Sequence, residues 1–152
     1  MPRIDQFKME HDFEKFPELS NADLNLFYFQ SPHKQILDDI VVDVTKVTDG
    51  DTIKVKWAER DFEFPVRILD IDAPELNEPG GLESKAWLTG KILNKEVDLR
   101  ISRRNRVGKW GRLLARVEVN GMNIGQESIM FGFSEPFGSN QDWKIPETYK
   151  WR

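Results

Sequence analysis

Between residues 67 and 75 the chain reads RILDIDAPE, which places Arg67, Asp70, Asp72 and Glu75 on one short stretch. A second pair of acids, Asp49 and Asp51, lies in TDGDT (48–52), and Arg112 follows a basic run. Carboxylate and carbonyl oxygens suit hard cations such as calcium or magnesium. A cation beside a phosphate diester neutralises its charge and orients the attacking water. Brought together, these residues have the chemistry of phosphodiester hydrolysis. Asp51 and Asp72 would hold the ion, with the Ala73 carbonyl as a third ligand. Arg67 and Arg112 would clamp phosphate oxygens by paired hydrogen bonds that strengthen as charge builds in the transition state. Glu75, the acid left without a metal duty, would orient or deprotonate the water. Taken singly, each residue also has a plain structural role: Asp49 and Asp51 as turn residues, Arg67 in a surface ion pair, Arg112 on a solvated face. The combination is what points to chemistry.

Such residues need elements to position them. IVVDVTKV (40–47) is β-branched and partly alternating, and TIKVKW (52–57) alternates with Ile53, Val55 and Trp57 on one face, so both read as strands. TDGD (48–51) is the turn between them, with Gly50 free to take a positive φ. FEFPVRILDID (62–72) reads as a third strand, completing a β-meander. Alternation along it puts Arg67, Leu69 and Ile71 on one face and Ile68, Asp70 and Asp72 on the other. Pro74 cannot donate to a ladder and turns Ala73 away from helix, so the strand ends there. A polar loop at 77–81 leads into a helix expected over 82–94, with Leu82, Ala86, Leu88, Ile92 and Leu93 as its apolar stripe. EVDLRIS (96–102) and RLLARVEV (112–119) read as strands, Asn120-Gly121 as a turn, and 123–131 as a short helix stopped by Gly132. Three strands, a helix and two more strands fit a five-stranded OB-fold-like barrel with one plugging helix, a mainly β (α+β) architecture. Residues 1–38 form an N-terminal extension in which Ser20 or Asn21 caps a short helix; the extension packs on its own domain or docks on a partner. The barrel occupies 39–134, and 135–152 form an irregular C-terminal tail.

The chain from about residue 40 to 133 resembles the staphylococcal (micrococcal) nuclease, or thermonuclease, family. TDGDT (48–52), RILDIDAPE (67–75) and GKWGRLLARV (108–117) match its three motifs in order and spacing, and NGMNIGQESIMFGFS (120–134) is similar to its hairpin and following helix. The resemblance implies a calcium-dependent endonuclease that cleaves DNA and RNA with little sequence preference, leaving 3′-phosphate and 5′-hydroxyl ends. It matches Asp51 and Asp72 to the calcium carboxylates, Ala73 to the residue giving a backbone carbonyl, and Asp49 to a neighbouring acid. Arg67 and Arg112 match the catalytic arginines and Glu75 the catalytic glutamate, while Lys109 and Trp110 fall where the family has a lysine and an aromatic near the nucleotide. The chain also departs from the pattern. Asp70 is an extra acid, Gly125 stands where the family has a polar residue, and the nucleotide-flanking tyrosines give way to Phe133 and Phe137. The closing helix is missing or replaced by residues 141–152.

The 152 residues suit one domain with a true core. There is no cysteine, which excludes disulfide frameworks, zinc–thiolate sites and cysteine nucleophiles. His11 and His33 have no partner at metal-ligand spacing. The net charge of -4 argues mildly against nucleic acid, but its distribution argues for it. Residues 1–43 hold nine acids and four bases, whereas Arg100, Arg103, Arg104, Arg106, Lys109, Arg112 and Arg116 fall together without an acid. Arg103, Arg104 and Arg106 are therefore expected, with Lys109 and Trp110, to contact nucleic acid. Without a signal peptide or membrane-length apolar run, the expected location is the cytoplasm or a virion. The competing reading is a barrel serving as an interaction module of a larger assembly, such as a phage particle, with little or no nuclease activity. Its partner would bind through residues 1–38.

Overall fold

Val42, Val44 and Val47 are the buried residues of the first strand, and the residues between them reach solvent or the rim. That pattern makes Ile40–Asp49 (β1) a strand with one face in the core. A computed structural model describes residues 10–138. β1 pairs antiparallel with Thr52–Lys56 (β2), which pairs antiparallel with Glu63–Ile68 (β3). After Ile71–Asp72 (β4), the helix Gly81–Ile92 leads to Glu96–Arg100 (β5) and Leu113–Val119 (β6). β5 returns to β1, β6 pairs with β5, and a parallel pairing of β3 with β6 closes the barrel. Five strands, β1, β2, β3, β5 and β6, thus form the expected OB-like barrel. Its core gathers Val44, Ile53, Val66, Leu99, Ala115 and Val117, all essentially inaccessible to water. Met122–Asn123 (β7) extends β6, and Asn123 caps the helix Ile124–Met130 by accepting from the Gln126 amide at 3.0 Å. Gly132, at φ 81°, ends that turn. Glu135–Pro136 (β8) pairs with β4. The tail beyond residue 138, including residues 141–152 where the family's closing helix was expected to be missing or replaced, lies outside the described residues.

The third strand differs from the expected 62–72. It stops at Ile68 and resumes as β4, because Asp70 adopts a left-handed φ of 70°. The break shifts the alternation by one residue, so Phe64, Val66, Ile68 and then Ile71 face the core. Arg67 therefore does not share a face with Ile71. Asp70 instead turns to solvent and pairs with Arg116 at 2.8 Å.

Gly50 also has a different role from the one expected. Its φ is not positive. A Cβ there would lie 2.0 Å from Ser84 Oγ and 2.6 Å from Ala73 Cβ, so the turn needs glycine for close approach to the 81–92 helix. The same contact explains the helix's buried face, Gly81, Ser84, Leu88 and Ile92, on which two positions are small. Leu82, expected on the apolar stripe, is 66% exposed.

The N-terminal segment packs on its own barrel. Its helix, Asn21–Phe27, begins at Ser20, whose hydroxyl accepts from the Asp23 amide. Together with Leu19, Phe27 and Ile36 it buries apolar surface. The Arg60 guanidinium forms a fully buried ion pair with Glu18 (Nη2 to Oε1, 2.9 Å) and donates to the Lys34 carbonyl. Its face lies over the ring of Phe64, 4.5 Å from the centroid. Among the described residues no helix is long and apolar enough to cross a membrane.

Candidate active site

The β1–β2 turn and the β3–β4 break bring the acids and one arginine to the same end of the barrel. Asp49 accepts the Asp51 amide at 3.0 Å, which curls the turn and points Asp51 inward. Asp51 Oδ2 accepts from the Ala73 amide at 2.9 Å and lies 3.3 Å from Arg67 Nη2. The same Arg67 nitrogen is 2.8 Å from Asp72 Oδ1. Arg67 Nη1 donates to the carbonyls of Ile68 and Ile71, at 2.6 and 2.8 Å, which fixes the guanidinium across the strand break.

Arg112 joins this set through a residue that the sequence did not single out. Arg112 Nη1 donates to Thr52 Oγ1 at 3.3 Å, and Thr52 Oγ1 donates to Asp51 Oδ1 at 3.1 Å. One connected network therefore runs Arg112, Thr52, Asp51, Arg67, Asp72. The only sequence signal for Thr52 is its place at the end of TDGDT.

Burial pushes the Asp51 carboxyl up to about 6, with the neighbouring Asp49 adding to the effect and the Ala73 amide and Arg67 opposing it. A desolvated carboxylate crowded by a second acid is one whose charge a cation would compensate. Among the described residues no group of three or more His, Asp or Glu side chains converges as a metal cage. The expected donor set, Asp51 and Asp72 with main-chain oxygen from Ala73, is made of hard oxygens. It fits a cation that keeps part of its water shell, as calcium and magnesium do.

Glu75 stands apart. It is exposed, just past the turn, and its carboxylate makes no hydrogen bond or ion pair among the described residues. Its backbone is set tightly: the Glu75 amide donates to Glu78 Oε1 at 2.7 Å, and a Cβ on Gly81 would fall 1.9 Å from the Glu75 carbonyl oxygen.

A groove of about 580 Å³ runs beside the network, lined by Arg67, Asp70, Lys109, Trp110, Arg112 and Phe137, among others. Trp110 is 68% exposed, with Lys109 Nζ 5.1 Å from its ring centroid, and Phe137 lies 6.0 Å from the Arg67 guanidinium. Arg67, Arg112, Lys109 and Trp110 therefore share one wall system. A polar cleft of about 310 Å³ adjoins Asp72, Ala73, Glu78 and Glu135.

The basic run divides. Arg104 is exposed, and Arg103 is exposed and paired with Asp38 at 2.7 Å. Arg106 corrects the expectation of a nucleic-acid contact: it is 2% exposed. It donates to the carbonyls of Ile36 and Leu19 and to Asn21 Oδ1, at 2.8 to 3.0 Å. It clamps the N-terminal segment to the loop before β6 and cannot reach a ligand in solvent.

Comparison with known proteins agrees with this architecture. The family model described as "Staphylococcal nuclease homologue" matches residues 65–146. An uncharacterized endonuclease of Escherichia coli O157:H7 is 33% identical over 110 residues, covering 72% of this chain and 67% of that protein. Endonuclease YncB of Bacillus subtilis is 32% identical over 107 residues, covering 66% of this chain and 49% of that one. Endonuclease Htp3 of Saprolegnia parasitica is 26% identical over 149 residues, covering 83% and 66%. The chain thus spans from about half to two thirds of these relatives' length. With the family model extending over more than half of its residues, this chain belongs to the Staphylococcal nuclease homologue family.

Proposed function

We propose that the protein is a calcium-dependent endonuclease hydrolysing phosphodiester bonds of DNA and RNA to 3′-phosphate and 5′-hydroxyl ends. The observation that carries this reading is the network joining Arg112, Thr52, Asp51, Arg67 and Asp72 beside an open groove. The endonuclease names of relatives from Escherichia coli, Bacillus subtilis and Saprolegnia parasitica add to it.

Asp51, Asp72 and the Ala73 carbonyl would hold the calcium ion. When bound there, it would supply charge neutralisation at the phosphate and a polarised water. The chain's own groups do the rest. Arg112 presents N–H donors to a non-bridging oxygen, where negative charge grows. Arg67, whose Nη1 is spent on the Ile68 and Ile71 carbonyls and whose Nη2 lies against Asp72 and Asp51, would turn Nη2 to the phosphate once a cation takes over the two carboxylates. Glu75 takes the proton of the water as its oxygen bonds to phosphorus. The P–O5′ bond breaks, and the departing oxygen receives a proton from solvent. Lys109 and Trp110 flank the groove, one offering a cation to the backbone and the other a ring for a base. The free Glu75 carboxylate suits a group whose partner is the substrate water.

The test is digestion of plasmid and RNA by the purified protein in calcium, in magnesium and in chelator, alongside Glu75→Gln. Cleavage that needs calcium and falls by about 10²–10⁴ in the variant is the expected result. No cleavage in any metal by the folded protein would favour the interaction-module reading.

A further inference from the structure

We propose that the groove between the N-terminal segment and the outer face of β2 and β3 is a subsite for the single-stranded nucleic acid flanking the scissile phosphate. It rests on the nuclease reading above and extends the substrate beyond the nucleotide at Arg112. The groove encloses about 710 Å³, within the range of sites that hold a small ligand. Phe13, Lys15 and Pro17 form its N-terminal wall, and Lys54, Phe62 and Pro65 its barrel wall. Trp110 and Arg112 line both this groove and the one beside the network, so the two are continuous across the residues assigned to the phosphate. A strand whose phosphate meets Arg112 can therefore run on into it.

Its chemistry suits bases as much as phosphates. Lys54 pairs in register with Pro65, between the buried Ile53 and Val55, and so faces outward on β2. That is the β2–β3 face on which OB folds bind oligonucleotides. His33 is held by the Pro17 carbonyl at 2.8 Å, and its ring meets Phe13 and Phe62 edge-on at 6.0 and 4.8 Å. The two walls are thereby fastened to each other before any ligand arrives. Four acids, Glu14, Glu18, Asp61 and Glu63, line the groove against Lys15, Lys54 and Arg112, so attraction to phosphate alone does not select the occupant. Rings that accept stacked bases do, and only an unpaired strand offers its bases to them.

The test compares cleavage of a dinucleotide with that of a single-stranded oligomer of about ten nucleotides, a length matched to one OB fold. The full-length protein is used, with calcium, alongside Lys15→Glu, Lys54→Glu and Phe13→Ala. The expected result is a KM for the oligomer about tenfold below that for the dinucleotide in wild type, as one stacked base would produce. The variants, none of which touches the catalytic set, should erase most of that ratio while kcat/KM for the dinucleotide stays unchanged. Phe13→Ala removes a ring without adding charge, so it separates lost stacking from new repulsion. A wild-type ratio near one, or a ratio that survives all three substitutions, would overturn the subsite while leaving the nuclease reading intact. A wild type that turns over neither substrate would overturn that reading and the subsite with it.

Discussion

Arg67 Nη2 lies 2.8 Å from Asp72 Oδ1, an ion pair in which one guanidinium nitrogen also faces Asp51 at 3.3 Å. One residue assigned to phosphate thus compensates the two carboxylates assigned to the cation. Cation and guanidinium serve the same pair of charges, which makes their effects on stability interdependent. Calcium should raise the melting temperature of the wild type. Saturation to a hundred times Kd adds about 2.7 kcal/mol, or roughly 5–10 °C for a chain of this length. Arg67→Ala should lower the metal-free melting temperature, since breaking a charged hydrogen bond costs about 2 kcal/mol, and should enlarge the calcium-induced rise. Scanning calorimetry with and without calcium reads both effects. A melting temperature indifferent to millimolar calcium would remove Asp51 and Asp72 from the metal assignment.

Thr52 links the two arginines through Asp51, and its methyl group keeps the site filled if the hydroxyl is lost. Thr52→Val removes one hydrogen bond to each neighbour with little change of volume. Turnover should fall by about tenfold, the equivalent of a hydrogen bond of about 1.4 kcal/mol, with KM moving less than kcat because Arg112 loses its aim. Thr52→Ser should restore the rate. Equal rates for the valine and serine variants would reduce Thr52 to a packing residue.

Arg104 and Arg106 stand two positions apart and should behave oppositely. Arg106→Ala strips three hydrogen bonds from a buried guanidinium and leaves two main-chain carbonyls without that partner. It should destabilise the fold by about 2–4 kcal/mol in urea denaturation. Arg104→Ala should leave stability within about 0.5 kcal/mol but flatten the dependence of nucleic-acid binding on salt. A change in salt slope confined to Arg106→Ala would reverse the assignment.

Gly50→Ala drives a methyl group into Ser84, on the 81–92 helix, and Ala73, just past β4. Overpacking should cost about 1–3 kcal/mol and displace the turn that aims Asp51, so activity and stability should fall together. Adding Ser84→Gly should recover part of both. An alanine variant as stable as wild type would mean that the turn and helix separate freely.

The sequence pointed to four members of the network, Asp51, Arg67, Asp72 and Arg112, because they fall in three short motifs that the fold brings to one end of the barrel. The strands were legible from alternating valines and isoleucines. The break after Ile68 was not, since Asp70 reads as one more residue of an alternating strand until its backbone turns left-handed. Arg106 was illegible for a different reason. Its type matches that of its exposed neighbours Arg103 and Arg104. Its burial depends on Ile36 and Leu19, which lie 70 and 87 positions away. The N-terminal segment hid its role likewise, because its apolar residues follow no helical or strand period and are ordered by the barrel they cover.

The parallel seam that closes the barrel pairs Val66 with Leu113, residues 47 positions apart (113 − 66). Such a contact carries a large loop-closure entropy and no local help, unlike the β1–β2 and β2–β3 hairpins. The meander should therefore assemble first, and the β1–β5 pairing, whose partners lie 53 to 59 positions apart (96 − 43 and 99 − 40), and the seam later, on the millisecond-to-second scale of non-local β topologies. Until it closes, β3 and β6 both present free edges, and those edges are where a nascent chain is open to aggregation.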